Sequence, residues 1–515
     1  MGAVEADAYG VQKLPTGIEG FDLITYGGLP KGRTTLISGT AGSAKTVFAA
    51  QFLASGIDRF AEAGVFVTFE EQSADIRRNL AGFGWDVARW EADGKWAFVD
   101  ASIQPGEPTL VSGDFDLGAL IARIVHAIRR LGASRVSIDS LGGIFTQFEP
   151  SRIRHEIFRL TAALKDTGVT GLLTSERCAD EGEVSRYGVE EFVADNVLVL
   201  RNALEQEKRR RTVEVLKFRG TSHQKGQFPF TITDGQGIIV LPLSAIELRQ
   251  RSSNVRISSG IPELDGMCGG GFFRDSVVLV SGATGTGKTL LTTEFLSGGA
   301  VAGERSLLFA FEESHDQLFR NALSWGVDFE AMEADGRLRL ICIYPEATTL
   351  EDHLITMKHE IERFNPNRVA IDSLSALERV SSIKSFREFV ISLTSFIKHR
   401  ELAGLFTATT PELMGGTSVS EAHISSITDS IILLRYVEIL GEMRRGLAVL
   451  KMRGSMHQKE IREFSIAANG MHIGPAFRNV SGILTGRAIH AANEEIGRMN
   501  AMFQDDPHKG LRPPV

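Results

Sequence analysis

Cysteine is nearly absent from the chain. Three in 515 residues, Cys178, Cys268 and Cys342, are too few and too scattered for a disulfide framework, and their spacing fits no zinc site. That scarcity suits a reducing cytoplasm. A basic excess is also missing: 56 Lys and Arg stand against 64 Asp and Glu, a net charge of −8. The balance argues against a dedicated nucleic-acid binder, although a local basic patch stays open. No apolar run approaches membrane-spanning length. The first residues, Met1 to Gly10, carry acidic side chains and no apolar stretch of the signal-peptide kind, so none is expected. What is present is a globular composition, 43% hydrophobic and 23% charged, in a chain long enough for two or more domains.

The chemistry begins at Gly282-Ala283-Thr284-Gly285-Thr286-Gly287-Lys288-Thr289, which fits the phosphate-binding pattern G-x-x-x-x-G-K-[ST]. An apolar run, Val277 to Val280, reads as a buried strand before it, and Leu290 with Leu291 reads as a helix start after it. In that context successive backbone N–H groups and a helix N-terminus form a nest for phosphate. Lys288 would reach the outer phosphates and Thr289 would offer its hydroxyl to Mg²⁺.

The stretch has a counterpart. Gly39-Thr40-Ala41-Gly42-Ser43-Ala44-Lys45-Thr46 repeats it, and other segments recur in the same order. Val67–Glu71 resembles Phe309–Glu313, Arg135–Leu141 matches Arg368–Leu374, and Lys217–Gly220 matches Lys451–Gly454. The period is far longer than a solenoid repeat, so the reading is a duplicated nucleotide-binding domain. Within each half, short apolar strands such as Thr35–Ser38, Val65–Phe69 and Val136–Asp139 alternate with helical patterns such as Leu117–Leu131. This predicts an α/β fold with a mainly parallel sheet, extended by antiparallel hairpins around Thr212–Leu216 and Phe230–Thr233. The expected layout is a flexible N-terminus over 1–12, a first ATPase domain over 13–247, a polar linker over 248–254, a second domain over 255–480 and a partly disordered tail over 481–515.

Each half carries a second signature. Asp139 and Asp372 end apolar strands, where a carboxylate holds Mg²⁺ through water; a helix cap is the bland alternative. Glu70-Glu71 and Glu312-Glu313 also end strands, at the edge where open α/β sheets bind ligands, and a carboxylate there can activate a nucleophile. The alternative is an exposed acidic turn. Lys217 with Arg219, and Lys451 with Arg453, are two apart on predicted strands and so share a face, from which they could meet a neighbouring subunit's nucleotide. A solvated strand face would look the same. The run Lys208-Arg209-Arg210-Arg211 reads as a solvated hairpin, a subunit contact or a weak nucleic-acid patch.

With these motifs in the same order in both halves, the chain resembles the KaiC family of circadian-clock ATPases and autokinases, within the RecA-like ATPase superfamily, from about Lys13 to Asn479. The resemblance implies two tandem RecA-like domains in a two-tiered hexamer, with ATP between subunits. It implies a slow ATPase in the first domain, with Glu70 and Glu71 activating water. In the second it implies transfer to the chain's own serines, with Glu312 activating the acceptor beside Glu313. By motif, Gly42, Ser43, Ala44, Lys45 and Thr46, and Thr284 through Leu290, would bind ATP, and Thr46, Asp139, Thr289, Glu312 and Asp372 would serve the metal. Lys217, Arg219, Thr221 and His223, and Lys451, Arg453 and His457, would reach nucleotide across the interface. Trp325 and Arg445 would help hold the second ATP.

The implied phosphoacceptors are Ser425 and Ser426. Aligning Asp195–Arg201 with Asp429–Arg435 puts them opposite Glu191 and Phe192, so the first half lacks hydroxyls there. Without the family, two serines at this place also suit a helix start or polar turn. Ser420 and Glu421 are candidates for a third acceptor and its neighbour. Added charge near Arg379 or Arg387 would give new Arg–phosphate pairs. The chain departs from the family in three places. The acceptor pair is Ser-Ser rather than Ser-Thr. Ala44 replaces a loop glycine, costing about 1–2 kcal/mol if the position needs a positive φ. The tail after Gly482 does not match the end where the activator KaiA docks, which argues against KaiA. Residues 101–116 correspond to the region associated with KaiB, which keeps a KaiB-like partner in view. A DNA-binding recombinase or helicase relative and an ATP-dependent assembly scaffold are the competing readings; the acidic balance argues against the first.

Overall fold

The computed structural model describes residues 10–101, 117–145, 150–205, 207–242, 252–410, 424–439, 441–478, 480–481 and 489–490. The chain forms two compact units, Met1–Ile246 and Glu247–Val515. Most of the 101–116 segment, Ser420 with Glu421, and nearly all of the tail lie outside the described residues.

In the first unit the main sheet is built from β1 (Thr34–Gly39), β2 (Gly64–Thr68), β3 (Trp96–Asp100), β4 (Arg135–Asp139), β5 (Thr170–Glu176), β6 (Asn196–Glu205), β7 (Lys208–Phe218), β8 (Gln227–Thr233) and β9 (Gly237–Val240). Their spatial order is β9-β8-β7-β6-β1-β5-β4-β2-β3. The strands from β6 to β3 run parallel, and β7 to β9 add antiparallel hairpins at the other edge. The parallel strands read as continuous apolar runs because both faces are covered. Alternation along β2 shows how: Phe66 joins the core that includes Phe48, Phe52 and Leu53 of α1 (Lys45–Phe60). Val65 and Val67 face the other layer, where α2 (Leu117–Leu131) and α3 (Pro150–Thr167) lie. Helix α2 spans the expected residues and buries Leu117, Leu120, Ile124 and Ile128, the i, i+3, i+4 spacing of an amphipathic helix.

The second unit repeats the plan. Its strands are β10 (Val277–Gly282), β11 (Ser306–Ala310), β12 (Leu338–Cys342), β13 (Arg368–Asp372), β14 (Ala403–Thr409), β15 (Ser430–Ile439), β16 (Glu442–Met452), β17 (Arg462–Ala467) and β18 (Gly470–Ala476). The order, β12-β11-β13-β14-β10-β15-β16-β17-β18, is the first unit's order strand for strand. Helix α4 (Lys288–Val301) follows β10, and α5 (His315–Ser324) follows β11. A capping box at Ser314, whose hydroxyl accepts from Gln317 N while the Gln317 side chain accepts from Ser314 N, starts α5 directly after Glu312 and Glu313.

One expectation is corrected. Lys217 and Lys451 lie on strands, but Arg219 and Arg453 fall in the turns that follow, ahead of Gly220 (φ +72°) and Gly454 (φ +70°). The glycines need the left-handed region, so the chain turns before the arginines can share the strand face with the lysines.

Candidate active site

The central strands β1 and β10 each open into a phosphate loop that leads into α1 or α4. The parallel strands beyond their immediate neighbours, β4 and β2 in the first unit and β13 and β11 in the second, deliver the carboxylates to the same edge. A strand without its neighbours would place none of these groups together; the parallel register does so.

In the second unit these elements enclose a cavity of about 350 Å³. Of the expected residues, Thr284, Gly285, Gly287, Lys288, Thr289, Leu290, Glu312, Glu313, Trp325 and Asp372 line it. Thr286 is buried in the loop itself, and its hydroxyl donates to Ala283 O at 2.7 Å. Lys288 is folded back, donating from Nζ to Gly282 O (3.0 Å) and Ala283 O (2.9 Å), and burial pushes its pKa down. Lys45 does the same to Gly39 O and Thr40 O, both at 3.0 Å. A phosphate would replace these carbonyls with charged oxygens, which bind an ammonium more strongly.

The carboxylates are held by neighbouring hydroxyls. Thr46 Oγ1 donates to Asp139 Oδ2 at 2.6 Å, and Thr174 also donates to Asp139. Thr407 Oγ1 donates to Asp372 Oδ1 at 2.5 Å; burial raises the Asp372 pKa, and hydrogen bonds from Thr407 and Thr289 oppose that shift. Ser140 Oγ donates to Glu70 Oε1 at 2.6 Å and Ser373 Oγ to Glu312 Oε2 at 3.0 Å. Arg379 forms an ion pair with Glu312. Asn321 Nδ2 donates to Glu313 Oε2 at 2.8 Å, and burial, with Asp372 nearby, pushes the Glu313 carboxyl up. Glu71 is raised by burial and then by Asp139. In each unit one glutamate of the pair is therefore tied to the serine after the strand, and the other is biased toward holding a proton.

Ala44 adopts φ 72°, so the position does need the left-handed region and the alanine carries the expected strain. Gly285 (φ +79°) carries the same constraint and a second one: a Cβ there would lie 2.8 Å from the Tyr436 hydroxyl. Arg445 sits behind that tyrosine, 5.6 Å from its ring centroid, and is not part of the cavity wall. Its counterpart in the first unit touches the loop itself: Arg211 Nε donates to Gly42 O at 3.2 Å. The last arginine of the basic run thus has a role at the nucleotide loop that sequence reasoning missed.

Lys451, Arg453, His457, Ser425 and Ser426 lie outside the wall of this cavity. Lys451 Nζ donates to Ser425 O (2.8 Å) and Thr428 O (2.7 Å), while Lys217 Nζ donates to Glu191 O (2.9 Å) and Ala194 O (2.8 Å). Each lysine grips the same two backbone positions, so Ser425 stands where Glu191 stands. Arg453 Nη2 donates to Ser426 O at 2.8 Å. His223 packs edge-on against Phe218, and burial lowers its pKa. Thr221 lies in the turn beside it, its hydroxyl 3.5 Å from Ser222 O. Sequence reasoning also missed Asn321. The available signal was the repeat, since Asn79 reaches Glu71 (3.5 Å) across the same spacing of eight residues.

Among the described residues no helix is long and apolar enough to cross a membrane. A family-wide sequence profile described as "ATPase: KaiC" matches residues 14–245 and 257–477. The chain is 63% identical over 503 residues to "Circadian clock protein KaiC3" of Synechocystis sp., covering 98% of this chain and 99% of that protein. It is 57% identical over 486 residues to "Circadian clock oscillator protein KaiC" of Thermostichus vulcanus, 94% of this chain and 93% of that one. The protein of the same name from Acaryochloris marina is 55% identical over 496 residues, 96% of this chain and 95% of its own. With both halves matched and the phosphate loops, paired glutamates and strand-end aspartates in place, the chain is an ATP-binding protein that belongs to the KaiC ATPase family.

Proposed function

We propose that the chain is a cytoplasmic, Mg²⁺-dependent ATPase and serine autokinase of the circadian-clock type, assembled as a hexamer with ATP between subunits. The first domain hydrolyses ATP, and the second transfers phosphate to Ser425 and Ser426. The observation that carries this division is the lysine anchor. Because Lys451 holds Ser425 where Lys217 holds Glu191, only the second domain presents hydroxyls at that place.

Mg²⁺ suits the donors present. Among the described residues no three His, Cys, Asp or Glu side chains cluster to cage an ion, and Mg²⁺ is ordinarily held by one or two side chains together with substrate phosphates. Thr46 with Asp139, and Thr289 with Asp372 and Glu312, would hold it, and when bound it would neutralise charge on the transferring phosphoryl group. The loop N–H groups and the lysine orient the phosphates. In the first domain Glu70 and Glu71 take a proton from the attacking water. In the second, Glu312 takes the proton of Ser425 or Ser426 from a neighbouring subunit as its oxygen attacks the γ-phosphorus and ADP departs. A KaiB-like protein docking through residues 101–116 is part of the same proposal; KaiA is not.

Incubation of the full-length protein with labelled ATP and Mg²⁺, followed by phosphosite mapping, tests it. Label is expected on Ser425 and Ser426. Label only elsewhere removes Ser425 and Ser426 as acceptors, and no label while ATP is still consumed removes the autokinase and leaves an ATPase.

A further inference from the structure

The two sites, built on one plan, differ at one register position beside the phosphate loop. Glu176 ends β5 opposite Gly39, and Thr409 ends β14 opposite Gly282. The equivalence extends to the next residue, since Arg177 N donates to Gly39 O and Thr410 N to Gly282 O, both at 3.1 Å. Thr409 lines the second cavity, so this position faces the space between the phosphate loop and the carboxylates. The neighbouring residue changes with it. In the second unit Ser375 Oγ accepts from Thr409 N at 2.8 Å. The same place in the first unit is Gly142, and a Cβ built there would lie 3.7 Å from Glu70 Oε1 and 3.9 Å from Glu176 Oε2. A Cβ there would make only ordinary contact with both acids, so the two units differ in which side chain stands beside this position rather than in the room for it. The acid also acts on the site: Glu176 is the leading anionic influence on Lys45, ahead of Asp139 and Glu70. Arg186 Nη1 lies 3.3 Å from Glu176 Oε2 and offsets its charge.

We propose that Glu176 positions the attacking water in the first site, and that the Gly142/Glu176 pair against Ser375/Thr409 sets which nucleophile each site uses. This rests on the division of labour proposed above. A carboxylate only accepts hydrogen bonds, so Glu176 holds a water by one O–H while the oxygen faces the γ-phosphorus. Water forms the new P–O bond, the bond to the β-phosphate oxygen breaks, and the proton goes to the Glu70–Glu71 pair. Glu176 keeps its own charge. Threonine at this place offers a neutral donor to a γ-phosphate oxygen and no second anion to order water, which leaves the attacking position for a serine hydroxyl.

The test uses the full chain. Glu176→Thr, and Gly142→Ser with Glu176→Thr, are expected to lower kcat for ATP hydrolysis on the order of 10²-fold, the loss that misplacing a reacting group brings. KM and directly measured ATP affinity should hold within about twofold, because the binding groups remain. Phosphorylation of Ser425 and Ser426 should persist, and Glu176→Gln, which still accepts from water, should retain more activity than Glu176→Thr. Unchanged kcat, or a loss explained by weaker ATP affinity, overturns the inference. Lys45→Ala separates the two claims. If it leaves hydrolysis intact, the first domain is not the ATPase and the division of labour fails; if it abolishes hydrolysis while Glu176→Thr does nothing, only the inference about Glu176 fails.

Discussion

At the scale of single residues, the site is a set of carboxylates whose neighbours decide their protonation. Glu312 is ion-paired to Arg379 and accepts from Ser373, while Glu313 is half-buried, accepts from Asn321 and is pushed up. An amide keeps the shape of a glutamate but cannot take a proton. Glu312→Gln is therefore expected to lower phosphorylation of Ser425 and Ser426 by about 10²–10⁴-fold, the usual contribution of a positioned base. ATP affinity of the second site should fall far less than phosphorylation, because the loop, Lys288, Thr289 and Asp372 remain to hold nucleotide and metal; quantitative phosphosite mass spectrometry beside nucleotide binding checks both. The residues of this set that the sequence exposed are those it named inside repeated motifs, the glutamates and the aspartates; Ser140 and Ser373, though inside the same repeat, were not singled out. Arg379 reaches Glu312 across 67 residues, and no local pattern announces such a pair. Ala44 was legible because its loop position demands a conformation that only glycine adopts without strain.

Among the elements, the strands and the antiparallel hairpins followed from apolar runs and their punctuation, whereas the points at which two strands end did not. Arg219 and Arg453 illustrate the limit, since one turn after a strand cancels an argument from alternation. The same comparison of repeats shows a packing difference between α1 and α4. Gln51 Nε2 donates to Gln236 O (3.0 Å) and Ile238 O (3.1 Å), and its Oε1 accepts from Ile238 N (2.7 Å). This clamps α1 to the edge hairpin β8–β9. At the matching place on α4, Glu294 Oε1 accepts from Met471 N at 3.2 Å, and burial raises its carboxyl pKa, with His472 the charged group that opposes the shift. Glu294→Gln is expected to stabilise the second unit by about 1 kcal/mol, one net hydrogen bond, because the amide can also donate to the hairpin carbonyls. The gain depends on pH. A carboxyl whose folded pKa exceeds its unfolded one contributes stability at low pH that is lost as pH rises through the folded value. The variant's advantage should therefore grow from pH 5 toward pH 8 in thermal unfolding; an advantage that is flat or shrinks with pH would contradict the clamp.

For the whole molecule, the decisive fact is that the cationic trio of the second unit, Lys451, Arg453 and His457, lies outside its own unit's cavity. Lys451 and Arg453 hold the backbone of Ser425, Thr428 and Ser426, and Arg453 keeps about half of its side chain exposed, 54%. The sequence expectation already assigns these cationic residues to a neighbouring subunit's nucleotide, not to the site of their own chain. In the proposed assembly the nucleotide is cradled by one subunit, and Arg453, Ser425 and Ser426 come from the next. Two variants test it together. Lys288→Ala removes the phosphate ligand and Arg453→Ala removes the facing cation, so each alone should lose phosphorylation of its serines; an arginine acting on the transferring phosphoryl group contributes about 10³–10⁵-fold. In a mixed assembly, a site formed by an Arg453→Ala chain holding the nucleotide and a Lys288→Ala chain supplying Arg453 and the serines is complete. Mixing should therefore restore label, and it should appear on the Lys288→Ala chains, distinguishable by a tag. If Arg453 acted within its own chain, every site in the mixture would lack one of the two groups and mixing would restore nothing.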